Sequence, residues 1–113
     1  MDSVVFVTQV PNRKDKTTGA WVPAFNIGPA AEFGRIETML PPNAAFFNSD
    51  ELVRTLRNKL SAYSYIRGDS IVCAGDPAII AAAGSVLADI TRKYKLLKWE
   101  RNVSRYVPVE ISL

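Results

Sequence analysis

Residues 94–106 read YKLLKWERNVSRY and set two rings, Trp99 and Tyr106, among Lys95, Lys98, Arg101 and Arg105. Rings interleaved with cations are the elements of sequence-tolerant single-strand recognition, in which bases stack on the rings and the cations follow the phosphates. Six of the fourteen basic residues fall between Arg92 and Arg105 with Glu100 as the sole acid, so the local positive excess favours a polyanion through counterion release. A second basic group, Arg54, Arg57 and Lys59, continues to Arg67. The same residue types also make a solvated sheet edge over an aromatic core, or the anchors of a protein interface.

Other chemistries have less to work with. The chain has no histidine, which removes imidazole general bases, the serine–histidine triad and histidine metal ligands. Its single cysteine, Cys73, can close neither an intrachain disulfide nor a cysteine-rich zinc site, and lies in a strand-like run as a small hydrophobe. Asp69, Asp76 and Asp89 fall at a turn, a helix cap and a helix face, and Asp2, Glu32, Glu37, Glu100 and Glu110 are scattered. AGDPAIIAAAG sits where a phosphate loop would sit, yet Gly75 is followed by a carboxylate that would repel phosphate. The alanines and Gly84 there read as small residues that let a helix approach a sheet. These features predict a non-enzymatic protein with no metal, cofactor or nucleotide site.

The elements that must position the aromatic–basic stretch belong to one domain spanning residues 1–113, a length that supports a single core. SVVFVTQ is β-branched and aromatic and predicts a first strand. PNRKDKTTGA is a polar loop carrying Arg13, Lys14 and Lys16. WVPAFNI gives a second strand, with Pro23 at an edge or bulge, and RIETML a third, so the first forty residues read as a three-stranded meander. Phe46 and Phe47 need burial, and Asn48 with Glu51 forms a capping-box pattern. Leu52, Val53, Leu56, Leu60 and Tyr63 fall on one helical face, opposite Arg54, Arg57, Asn58 and Ser61. The RGD tripeptide at 67–69 is a turn before a strand. SIVCAG, a helix capped by Asp76 with Pro77 at its first position, and a following strand form a minimal strand–helix–strand crossover; that helix runs to about Lys93.

The chain ends in a hairpin, 94–101 against 105–112. A two-residue loop at Asn102–Val103 makes paired residues sum to 205, so Trp99 faces Tyr106, Leu97 faces Pro108 and Lys95 faces Glu110 on one side. Val107, Val109, Ile111 and Leu113 make the other side apolar and should meet the helices. The fold class predicted is α+β: a mixed, largely antiparallel sheet of about six strands with two helices packed on one face. The open hairpin edge predicts a homo-oligomer, because an unpaired strand recruits a partner.

VVFVTQ, PAAEFG, GDPAIIAAA and LLKWERNVSRYVPVEI together resemble small proteins encoded by tailed bacteriophages. The characterised type they are similar to is the small early single-stranded-DNA-binding transcription regulator of phages that package their own RNA polymerase. The resemblance implies non-specific single-stranded DNA binding, self-association and a role in early or middle phage transcription. It assigns no individual residues. From the residues themselves, Trp99 and Tyr106 are the expected stacking rings, and Lys95, Lys98, Arg101 and Arg105 the phosphate ligands, helped by Arg54 and Arg57. Lys98 is the weakest of these, since parity turns it inward. The alternative is a protein-interaction module that binds and redirects a host enzyme such as RNA polymerase. The apolar runs are too short for a signal h-region or a membrane span, which predicts a cytoplasmic protein.

Overall fold

The computed structural model of the chain describes residues 2–43 and 49–113. Phe46, Phe47 and the Asn48 cap lie outside the described residues. Strand β1 (Val4–Gln9) is buried along its whole length. It pairs in parallel with β4 (Arg35–Leu40) on one side and with β5 (Ser70–Val72) on the other. Strand β5 pairs in parallel with β6 (Lys93–Glu100), which pairs antiparallel with β7 (Arg105–Ser112). The resulting five-stranded order is β4-β1-β5-β6-β7. A separate antiparallel ribbon joins β2 (Asn12–Lys14) to β3 (Trp21–Pro23).

The fold is α+β with a mixed sheet, but most pairings within the main sheet are parallel. The expected three-stranded meander does not form. WVP pairs with Asn12–Lys14 instead, and RIETML lies parallel to β1 with Val5 opposite Ile36. The physical reason is visible in VVFV. A strand apolar at every position is covered on both faces, which suits the interior of a parallel sheet better than an alternating meander. A 3₁₀ segment, Gly28–Phe33, leads back to β4.

Both α-helices pack on one face. Leu52, Leu56 and Leu60 of α1 (Ser49–Leu60) and Ile79, Ala83, Val86 and Leu87 of α2 (Pro77–Ile90) meet Val4, Phe6 and Ile71. The opposite face holds Val5, Val7, Val72, Leu97 and Tyr106 under Ala30, Ile27 and Phe33. Ala83 supplies the close approach of α2, whereas Gly84 faces open space. The expected crossover is present: the Asp76 carboxylate accepts from the Ala78 N–H at 2.8 Å and Pro77 opens α2. The helix stops at Ile90, before Arg92 and Lys93, because Thr91 turns extended (φ −141°) and leads into β6.

Between β1 and β5 the chain reverses its course across the sheet, a place where open sheets commonly leave a crevice at the strand ends. Here side chains fill it. The Thr8 hydroxyl accepts from the Ala74 N–H at 2.7 Å and donates to the Ala74 carbonyl. Gln9 Oε1 accepts from the Asp76 N–H at 3.0 Å, and its Nε2 donates to the Pro41 carbonyl at 3.0 Å. Gly75 (φ +94°) passes so close that a Cβ there would collide with the Gln9 side chain.

The RGD turn is tied into the core. Asp69 is 0% exposed. Its carboxylate accepts from the Val4 N–H at 2.8 Å, the Ser64 N–H at 2.9 Å and Arg67 Nε at 2.9 Å, with a second bond from Arg67 Nη2. The buried Tyr63 hydroxyl donates to the Asp69 carbonyl at 2.9 Å and accepts from the Lys95 N–H at 3.1 Å. Burial pushes the Asp69 carboxyl upward, but the Arg67 and backbone hydrogen bonds outweigh it and hold the group below its ordinary value. Chiefly through burial, the Tyr63 phenol is pushed up to about 12.

Two stability tests follow from this network. Asp69→Ala should cost about 3 kcal/mol in urea unfolding, because it strands Arg67 and two backbone donors. For the carboxyl with lowered folded value, the stabilisation is full above the unfolded value of about 3.9 and is lost as pH falls through the folded value. For the phenol with raised folded value, it is full below about 10 and declines as pH rises towards about 12. Urea midpoints across pH should therefore fall at both ends, and Tyr63→Phe should flatten the alkaline limb.

Candidate nucleic-acid interface

The hairpin has the predicted register, with Trp99 opposite Tyr106, Leu97 opposite Pro108 and Lys95 opposite Glu110. The turn is longer than two residues. Strand pairing stops at Glu100–Arg105, leaving a four-residue turn in which Ser104 takes φ +49°.

The two rings have different fates. Tyr106 is 5% exposed and belongs to the core beside Leu97 and Val72, so its face is closed to a base. Trp99 is 44% exposed. The rings meet edge-on, with centroids 5.0 Å apart and planes at 71°. Tyr106 therefore acts as a brace that sets the angle of the Trp99 indole. Such a pair contributes about 0.5–1.5 kcal/mol beyond area burial.

Trp99 forms one wall of a cleft of about 610 Å³. Val72, Cys73 and Ala74 at the end of β5, Leu97 of β6, and Phe25 and Pro29 before and within the 3₁₀ segment supply most of the rest. The cleft is open beside the sealed β1–β5 crevice because the chain after β3 arches over the strand ends without filling them. Burial pushes the Cys73 thiol upward. Phe25, Asn26 and Pro29 went unnoticed in the sequence as site residues; the PAF and GPA stretches carry no alternation or motif that separates a cleft wall from a turn.

The predicted cations divide into groups. Lys98 also lines the cleft and is exposed, and Arg101 is exposed in the turn; neither has an ion-pair partner among the described residues. Arg105 is exposed but pairs with Glu32 at 2.9 Å, an exposed contact worth about 0–1 kcal/mol and readily exchanged for a phosphate. Lys95 sits four residues before Trp99, about 13 Å along the strand, and is half-buried. Arg54 and Arg57 lie on α1, in the layer across the sheet from Trp99, and Arg57 pairs with Asp89 at 2.8 Å. The structure thus gathers Trp99, Tyr106, Arg101 and Arg105 at the hairpin end, sets Lys98 beside them on the opposite side of the strand across from Val107, and leaves Lys95, Arg54 and Arg57 elsewhere.

The helix-facing side of β7 also departs from expectation. Val107, Val109 and Leu113 are exposed, because the helices cover the β1–β5 region and stop short of the last strand. The Leu113 N–H donates to the Arg92 carbonyl, so odd-numbered residues of β7 bond inward and even-numbered ones face the free edge. Pro108 is among the latter and offers no N–H there.

The fold and cleft define a small α+β protein with an aromatic wall at the end of a mixed sheet. Over residues 3–113 the chain matches the phage Pam3 gp32-like protein family, and it belongs to that family. The bacteriophage resemblance read in the sequence is thereby supported at the level of a phage protein. Comparison with curated proteins and with solved structures gave no match. Among the described residues no helix is long and apolar enough to cross a membrane.

The half-exposed setting of Trp99 makes it separable from stability. Trp99→Ala should cost about 1–2 kcal/mol, the edge-on ring contact plus partial burial, whereas Tyr106→Ala should cost about 3–4 kcal/mol as a buried aromatic truncation, both measured by urea unfolding.

Proposed function

We propose that this phage protein is a non-enzymatic, sequence-tolerant single-stranded-DNA-binding protein acting in phage transcription or replication. The observation that carries the reading is Trp99, held edge-on by Tyr106 at the mouth of an open cleft with Lys98 and Arg101 unpaired nearby. A base entering the cleft stacks on the indole, and its flanking phosphates reach Lys98, Arg101 and, on exchange from Glu32, Arg105. The apolar lining offers few hydrogen-bonding groups to read a base edge, which agrees with sequence tolerance.

That same apolar lining favours a second reading, in which the cleft takes an apolar side chain of a partner protein, such as a host RNA polymerase. Self-association belongs to the proposal through the exposed face of β7 (Val107, Val109, Leu113), since Pro108 interrupts the edge.

Fluorescence polarisation with labelled oligothymidine separates the readings. Trp99→Ala should weaken binding by about 1–3 kcal/mol, and added salt should weaken the parent steeply. Absence of binding at low salt would leave the protein-partner reading in place. In sedimentation, Val109→Asp should shift any oligomer towards monomer.

A further inference from the structure

The β2–β3 ribbon carries a second aromatic–basic surface, separate from the hairpin. Trp21 is 68% exposed, directly opposite Lys14 on one side of the ribbon, while Arg13 pairs with Val22 on the other. Arg13, Lys14 and Lys16 have no ion-pair or hydrogen-bond partner for their side chains among the described residues. The one acid within the ribbon, Asp15, is committed to the turn: its carboxylate accepts from the Thr17 N–H at 2.7 Å.

The ribbon is also firmly built. The Asp15 N–H donates to the Ala20 carbonyl and the Gly19 N–H to the Asp15 carbonyl, both at 2.8 Å, with Gly19 at φ +73°. At its base the Ala24 N–H donates to the Pro11 carbonyl at 2.7 Å. A two-stranded ribbon has little stability of its own, yet here an ordered turn holds an indole out in solvent, where it buries nothing for the fold.

Its position relative to Trp99 supplies the link. Arg13 lines a groove together with Pro23, Phe25 and Asn26, and Phe25 and Asn26 are also walls of the Trp99 cleft. The Arg13 side of the ribbon therefore borders the Trp99 cleft, and Trp21 and Lys14 stand on the ribbon's other side, one strand thickness away. We infer that the β2–β3 ribbon is a second contact for the same single strand, with Arg13, Lys14 and Lys16 on its phosphates and Trp21 stacked on a base beyond Phe25–Asn26. This inference rests on the single-strand reading of the Trp99 cleft and extends it from one base to a track.

The test compares labelled oligothymidines of about 6 and about 18 nucleotides on the full chain. The Arg13→Ala/Lys14→Ala variant should bind the longer strand about tenfold more weakly than the parent at about 50 mM salt, with its log–log salt slope reduced by about 1.4, so that the deficit shrinks about sevenfold by about 200 mM. It should bind the shorter strand like the parent. Because the chain has two tryptophans, Trp99→Phe leaves Trp21 as the sole indole, and the longer strand should quench it while the shorter one does not. Parent-like affinity and slope in the ribbon variant, or an unquenched Trp21 in a Trp99→Phe protein that still binds, would overturn the ribbon contact while leaving the cleft standing. Failure of the parent to bind either strand would overturn both.

Discussion

The buried carboxylate of Asp69 is the point on which the molecule depends. One side chain fixes the start of β1 through Val4, the chain leaving α1 through Ser64, and the guanidinium of Arg67. Through the Tyr63 hydroxyl the same turn reaches the backbone of β6 at Lys95. The lateral positions of β1, β5 and β6 are thus set by one charge and one phenol at their N-terminal ends. The cleft lies at the opposite ends of these strands. The arrangement also gives RGD a structural meaning: its aspartate is inside the protein and unavailable to a receptor.

Local signals in the sequence specify several elements of the fold. The Asp76–Pro77 helix start, the crossover into β6 and the register of the last hairpin all come from short-range rules: a cap, a proline at the first turn, and strand parity. Trp99 and Tyr106 were placed correctly opposite each other. What parity could not say is how deep each lies. Depth depends on what covers the sheet, and the cover over Tyr106 comes from Ala30, Ile27 and Phe33, some seventy residues earlier in the chain. The antiparallel preference for the N-terminal half failed for a related reason. Three short strands with turn residues between them look like a meander, and only the unbroken apolar run of VVFV argues that β1 has neighbours on both faces and both sides.

The basic residues show the limits of clustering in sequence. Arg54 and Arg57 have the same charge as Arg101 but sit across the sheet, and Asp89 engages Arg57 from the neighbouring helix. Arg13, about eighty-five residues from Trp99 in the chain, is brought near it in space, because Phe25 and Asn26 border both its groove and the Trp99 cleft. Sealing of the β1–β5 crevice by Thr8 and Gln9 completes the pattern: with that opening occupied by the protein's own side chains, usable space moves sideways to the hairpin.

Pro108 has a consequence for how copies of this protein can accumulate side by side. An eight-residue strand with valines on one face would otherwise template another strand, and that strand another, giving sheets without a natural end. Removing a single amide hydrogen from the middle of the free edge breaks the ladder into two short stretches on either side of the proline. Contacts made by faces saturate; contacts made by edges propagate. With its edge interrupted at Pro108, β7 is a poor template for a fibre.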